Sequence, residues 1–127
     1  MKKNLLISSF ILFIGSLLFI SCGDSAAVKT IKQSYFSSYP NKTIGEAVDS
    51  FFDEPEWESG KPADESLMDY TLVNCSGKIF FDDELSTAEI QFLLNDKTGE
   101  FELNALEING VPQNKFMQIG LLEAMYE

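Results

Sequence analysis

The sequence predicts an α+β fold, an antiparallel meander of about four strands with an amphipathic helix before it and a buried helix after it. Three observations carry that expectation. An apolar stripe at helical spacing follows a capping signal at Thr43, alternating apolar runs then succeed one another across short polar turns, and the chain closes on a mostly apolar stretch from Asn114 to Tyr126. Taken in order, Val28, Ile31 and Tyr35 recur at helical spacing and predict a short helix over 28–36 that ends before Pro40. Thr43-Ile44-Gly45-Glu46 reads as a capping box, in which the Thr43 hydroxyl and the Glu46 carboxylate each accept from the other's backbone N–H. Ile44, Val48, Phe51 and Phe52 then form one stripe, with Gly45, Glu46, Asp49 and Ser50 opposite. Asp53-Glu54-Pro55 stops this helix, because a residue before proline is pushed out of the helical region.

Trp57 is expected to begin a short strand, followed by an aperiodic polar loop over 58–66. Residues 67–81 form a long strand bent at Ser76-Gly77, and Asp82-Asp83-Glu84 is the tip that returns the chain. Over 85–94 the pattern alternates, with Ala88, Ile90, Phe92 and Leu94 on one face and Thr87, Glu89 and Gln91 on the other. Asn95-Asp96-Lys97-Thr98-Gly99 fits a type I turn with Gly99 in the left-handed region. Residues 100–108 carry Phe101, Leu103 and Ala105 inward, with a change of phase near Ala105-Leu106. Asn109-Gly110 turns the chain, Pro112 suits the first turn of a final helix, and the apolar residues around most of that helix place it well inside.

Ahead of this domain, Lys2 and Lys3 precede an apolar run over 5–19, which ends in Phe19-Ile20-Ser21-Cys22-Gly23. A charged start, a short apolar run and small residues are the parts of a secretory signal peptide. A membrane span needs about 20 apolar residues, and this run is shorter and carries Ser8, Ser9, Gly15 and Ser16. Its end resembles the bacterial lipobox, which makes Cys22 the expected lipid attachment site and new N-terminus, bearing a diacylglyceryl thioether and an amide-linked acyl chain. The expected division is thus 1–21 lipoprotein signal peptide, 22–39 lipid-anchored tether with a possible short helix, and 40–127 α+β domain. Ordinary secretion or an uncleaved anchor is the alternative. A lipid on Cys22 implies an extracytoplasmic protein held on the cell membrane or the outer membrane.

Removal of residues 1–21 leaves seven lysines against twenty acidic residues, a net charge of −13, and the chain has neither histidine nor arginine. Such a domain is repelled by phosphate backbones, so no nucleic-acid partner is expected, and any charge-steered partner is basic or a divalent cation. The blander reading is that the charge keeps a tethered domain soluble. With Cys22 lipidated, Cys75 is the one cysteine left, so no intramolecular disulfide is expected and the fold must stand on its core.

Tyr39-Pro40-Asn41-Lys42-Thr43-Ile44-Gly45-Glu46-Ala47, Phe51-Phe52, Pro55, Trp57, Ile90-Gln91-Phe92 and the run from Glu107 to Asn114 together resemble an uncharacterised small domain of bacterial envelope proteins, often placed after a zinc ribbon and a membrane helix. The resemblance spans about residues 28–127. It implies a domain presented outside the membrane and brings no activity and no functional residues. Here the lipobox stands where that membrane helix would be, no zinc ribbon precedes it, and the tip Asp82-Asp83-Glu84 lacks a glycine found there.

The chemistry open to the domain is narrow. Without histidine there is no nucleophile–histidine mechanism. Cys75, between Val73 and Ile79 in an apolar strand, lacks a neighbour to stabilise its thiolate and reads as a buried, inert thiol. No pair of carboxylates stands out for acid–base work, so no enzyme, catalytic residue or cofactor is expected. Asp53, Glu54, Glu56 and Glu58, and again Asp82-Asp83-Glu84, crowd into acidic segments, but the EF-hand order is missing and two cysteines cannot close a zinc site. Trp57 is the aromatic chosen for a ligand role, should an exposed one have it. The expectation is a lipid-anchored, non-catalytic envelope module with a protein or peptide partner; the alternative is a cation- or small-ligand-binding lipoprotein using acidic loops.

Overall fold

The computed structural model describes residues 24–127. Cys22 and the expected signal peptide lie outside the described residues. The described chain is α+β: an antiparallel meander of five strands in the order β1-β2-β3-β4-β5, with helices before and after it. Helix α1 is Ala26–Lys32 and α2 is Ile44–Phe51; the strands are β1 Asp53–Gly60, β2 Tyr70–Phe81, β3 Glu84–Asn95, β4 Phe101–Ile108 and β5 Val111–Pro112; helix α3 is Lys115–Met125. A 3-10 turn at Glu65–Leu67 precedes β2.

Helix α1 sits earlier in the chain than the periodicity predicts. The Ser25 hydroxyl caps it by accepting from the Val28 N–H at 3.2 Å, and the helix ends at Lys32, well short of Pro40. Val28 and Ile31 are buried in the main core, so the segment expected as tether contributes to the fold. Tyr35, the third member of the predicted stripe, lies beyond the helix and is exposed. Helix α2 forms with the capping box in both directions: Glu46 N–H donates to Thr43 Oγ1 at 3.1 Å, and Thr43 N–H donates to Glu46 Oε1 at 2.9 Å. Ala47 joins Ile44, Val48 and Phe52 on the buried stripe, while Phe51 is half-buried.

Strand β1 begins at Asp53, four residues before the expected start at Trp57, and takes in Glu58–Gly60 from the predicted loop. A register shift between Asp53 and Glu56, with Glu54 at φ 55°, accommodates Pro55 and leaves the rest of the strand paired with β2. In β2 the expected bend at Ser76-Gly77 is absent: pairing with β3 runs unbroken from Tyr70 opposite Asn95 to Phe81 opposite Glu84. The glycine serves packing instead. A Cβ at Gly77 would stand 2.7 Å from Cδ2 of Phe52, inside van der Waals contact, so only glycine lets the aromatic ring that follows α2 lie on the sheet.

The β2–β3 tip is a two-residue turn with Asp82 and Asp83 both at positive φ, the type I′ geometry that glycine usually supplies. Gly99 takes the left-handed position at the β3–β4 connection, as the turn chemistry predicts. In β4 the phase changes one residue earlier than expected. Asn104 is the extra residue of a bulge, which sends Phe101, Leu103, Leu106 and Ile108 to the core side and turns Ala105 to the opposite face, across from Gln91. Pro112 belongs to β5, not to the final helix, whose cap is Asn114 with its Oδ1 accepting from Met117 N–H at 2.9 Å. Helix α3 packs by one side only. Leu121 and Met125 are buried, whereas Phe116 is 82% and Ile119 52% exposed, which corrects the expectation of a helix enclosed all round.

The helices and one face of the sheet share a single core built on Phe92, which is fully buried between Trp57, stacked at 6.4 Å, and the rings of Phe36 and Phe101.

The open acidic face as candidate functional site

The pleat sends alternate residues of each strand away from the helices, and the register decides which of them meet. Glu56 pairs with Ser76, Ser76 with Glu89, and Glu89 with Glu107, one row across four strands. The adjacent row runs Glu58, Asn74, Gln91, Ala105. Glu56 and Glu58 of β1, Glu89 of β3 and Glu107 of β4 therefore share one patch on the face opposite the core. The acidic cluster read in 53–58 is thus divided: Glu56 and Glu58 join this patch, and Asp53 and Glu54 lie at the irregular start of β1.

The floor of the patch is amide. Asn74 is 2% exposed and Gln91 fully buried, although Gln91 lies, as the alternation predicted, on the face opposite the apolar residues. Asn104 Nδ2 donates to Gln91 Oε1 at 2.8 Å, whereas Asn74 Oδ1 and Gln91 Nε2 have no partner among the described residues. The floor thus offers one orphan acceptor and one orphan donor, and the carboxylates around it ask for a donor or a positive charge.

The electrostatics point the same way. Burial pushes the Glu58 carboxyl above the ordinary range, and the charges of Glu89 and Glu56 push it further. Burial raises Glu89, with a hydrogen bond from Glu107 pulling it partly back. Glu107 is raised by burial, by the charge of Glu89 and by its hydrogen bond with Glu89. No ion pair relieves the crowding: the three among the described residues join Lys32 to Asp24, Lys61 to Asp96 and Lys97 to Asp69.

This arrangement sets a pH dependence with a definite sign. Carboxyls raised in the folded state bind protons more tightly there than in the unfolded chain, so they add stability at acid pH that is lost as pH rises through their raised values. Glu89→Gln removes the centre of that repulsion. Its thermal midpoint is expected to exceed the wild-type value at pH 7, with the difference closing near pH 4. A variant less stable than wild type at pH 7 would contradict the crowding. Asp96 has the opposite sign: burial raises it, but hydrogen bonds from Lys61 and Thr71 and the Lys61 charge outweigh that, so its contribution is lost as pH falls. The comparison of the two proteins cancels it.

The other predicted candidates fall elsewhere. Cys75 is fully buried on the core side of β2, opposite Trp57 and Ile90, and burial holds its thiol far above the ordinary range. It should resist maleimide in the native protein and react once denaturant unfolds it; rapid native labelling would contradict that burial. Trp57 is no exposed platform: it is half-buried on the core side of β1, with Lys32 Nζ 5.4 Å above its ring. Asp82 and Asp83 are exposed at the hairpin tip. Among the described residues no three His, Cys, Asp or Glu side chains gather closely enough to hold a metal ion.

Comparison of the chain with protein-family models, curated proteins and solved structures returned no match.

Proposed function

We propose that the protein is a lipid-anchored, non-catalytic interaction module of the cell envelope, attached through Cys22, whose open sheet face receives a basic protein or peptide segment. The observation that carries the reading is the patch of Glu56, Glu58, Glu89 and Glu107, none of them in an ion pair among the described residues, over the orphaned Asn74 acceptor. A lysine or arginine side chain laid across it supplies the donors and the charge that these groups lack. Long-range attraction from a mature charge of −13 speeds such an encounter, and salt weakens it. The cation-binding alternative would use the same sign of charge, but no observation favours a metal over an organic cation.

Photo-crosslinking in intact cells tests the reading. A crosslinking residue in place of Ser76, at the centre of the face, should trap a basic envelope protein, and one in place of the exposed Asp49 on α2 should not. Crosslinks from position 49 with none from position 76 would place the partner on the helical side and overturn the reading.

A further inference from the structure

The connection between the expected lipid and the folded domain is very short. Only Gly23 and Asp24 separate Cys22 from Ser25, so three peptide steps bring the Cα of Ser25 within about 11 Å of that of Cys22. Ser25 is not free to swing. Its hydroxyl lies 2.7 Å from that of Ser59 near the end of β1, it caps α1, and Asp24 beside it pairs with Lys32 at 2.6 Å. A chain pinned at Ser25 fixes which end of the sheet meets the anchor.

That end is defined by a hollow of about 430 Å³ in which Ser25, Ser59 and Thr71 meet Asn95, Asp96 and Gly99 of the β3–β4 hairpin. The charge at this end is unusual for the domain. All three ion pairs of the described residues gather around it: Asp24 with Lys32, Asp96 with Lys61, and Asp69, whose carbonyl accepts from Asp96 N–H, with Lys97. Asp24, Asp69 and Asp96 at this end are therefore paired, although Glu100 and Glu102 near the same hairpin are in no ion pair among the described residues, whereas Asp82 and Asp83 lie at the other end of β2, about 35 Å along the strand from Tyr70. Phe80 and Leu85, cross-strand partners and both exposed, share that far end. An acidic domain held on anionic head groups is least repelled when its compensated end faces them, because the repulsion acts within a Debye length of about 8 Å.

From this we propose that the domain stands on the membrane in one orientation, with the β3–β4 hairpin and the Ser25–Ser59 end against the lipid head groups and the β2–β3 tip outermost. The inference rests on lipid attachment at Cys22. It leaves the open acidic face standing beside the membrane, with the exposed Phe80–Leu85 pair leading into the surrounding space.

The test uses the full, processed lipoprotein in vesicles of phosphatidylethanolamine and phosphatidylglycerol that carry a nitroxide on the lipid head group. A fluorophore is attached through Thr98→Cys on the β3–β4 hairpin or Asp83→Cys on the β2–β3 tip; Cys75 stays buried. Position 98 should be quenched severalfold more than position 83. A flexible Gly/Ser insert of about 15 residues between Gly23 and Asp24, spanning about 20 Å, should bring the two close to equal. Vesicle-bound protein with equal or reversed quenching overturns the orientation and leaves the anchor standing. Protein that fails to sediment with the vesicles overturns both.

Discussion

Replacing Cys22 by alanine is expected to remove the protein from the membrane fraction and leave it as an unprocessed precursor or a soluble species. In the proposed reading the thioether is the chemical condition for what holds the chain on the membrane. A buried acyl chain contributes about 0.8 kcal/mol per methylene, and one chain alone binds only marginally, so firm attachment depends on the two or three chains that modification of this residue brings. Among the described residues no helix is long and apolar enough to cross a membrane, and a net charge of −13 on the mature chain opposes adsorption to anionic lipid. Fractionation of wild type and variant, with intact-mass measurement, checks the result. An unmodified Cys22 in the wild-type protein would remove the anchor from the account.

The second large effect is on folding. Phe92→Ala should cost about 3–5 kcal/mol, the range for deleting a fully buried aromatic and leaving a cavity. Few domains of this size hold more than about 5–15 kcal/mol in total, so the variant should be close to unfolding. Phe92 sits in the middle strand of five and is shared by β1 through Trp57, by β4 through Phe101 and by the segment after α1 through Phe36, so no single neighbour can collapse into the space. The denaturant midpoint should fall sharply with little change in slope. A loss below about 1 kcal/mol would mean the core is not organised on this ring.

What the sequence revealed was what is local in the chain. The Thr43–Glu46 box, the alternation of β3 and the Gly99 turn each depend on residues a few positions apart, and each formed as expected. The start of β1 was hidden because a positive φ at Glu54 and the adjoining Pro55 mimic a loop signal. The apolar residues of α3 suggested burial on all sides, but the core has room for only one of its sides, leaving Phe116 in solvent. The candidate site was illegible for a deeper reason. Glu56, Glu58, Glu89 and Glu107 become neighbours only through the register of four strands, and the Asn104 bulge decides what stands opposite Gln91. A hint was present in the amides Asn74 and Gln91 at the centres of otherwise apolar strands. The reading of Cys22 is of another kind: it rests on sequence context alone and lies outside the described residues.

The most direct measurement is the affinity of an arginine- and lysine-rich peptide for three proteins at several salt concentrations. These are the wild type, the face variant Glu58→Gln/Glu89→Gln/Glu107→Gln and the tip variant Asp82→Asn/Asp83→Asn/Glu84→Gln. Both variants lose three acidic groups, so a response to overall charge alone would weaken them equally. The account predicts that the face variant binds about tenfold more weakly, a loss of about 1.4 kcal/mol, and with a shallower salt dependence. The tip variant should stay near wild type. Equal weakening of the two, or a larger loss at the tip, would contradict the open face as the binding surface.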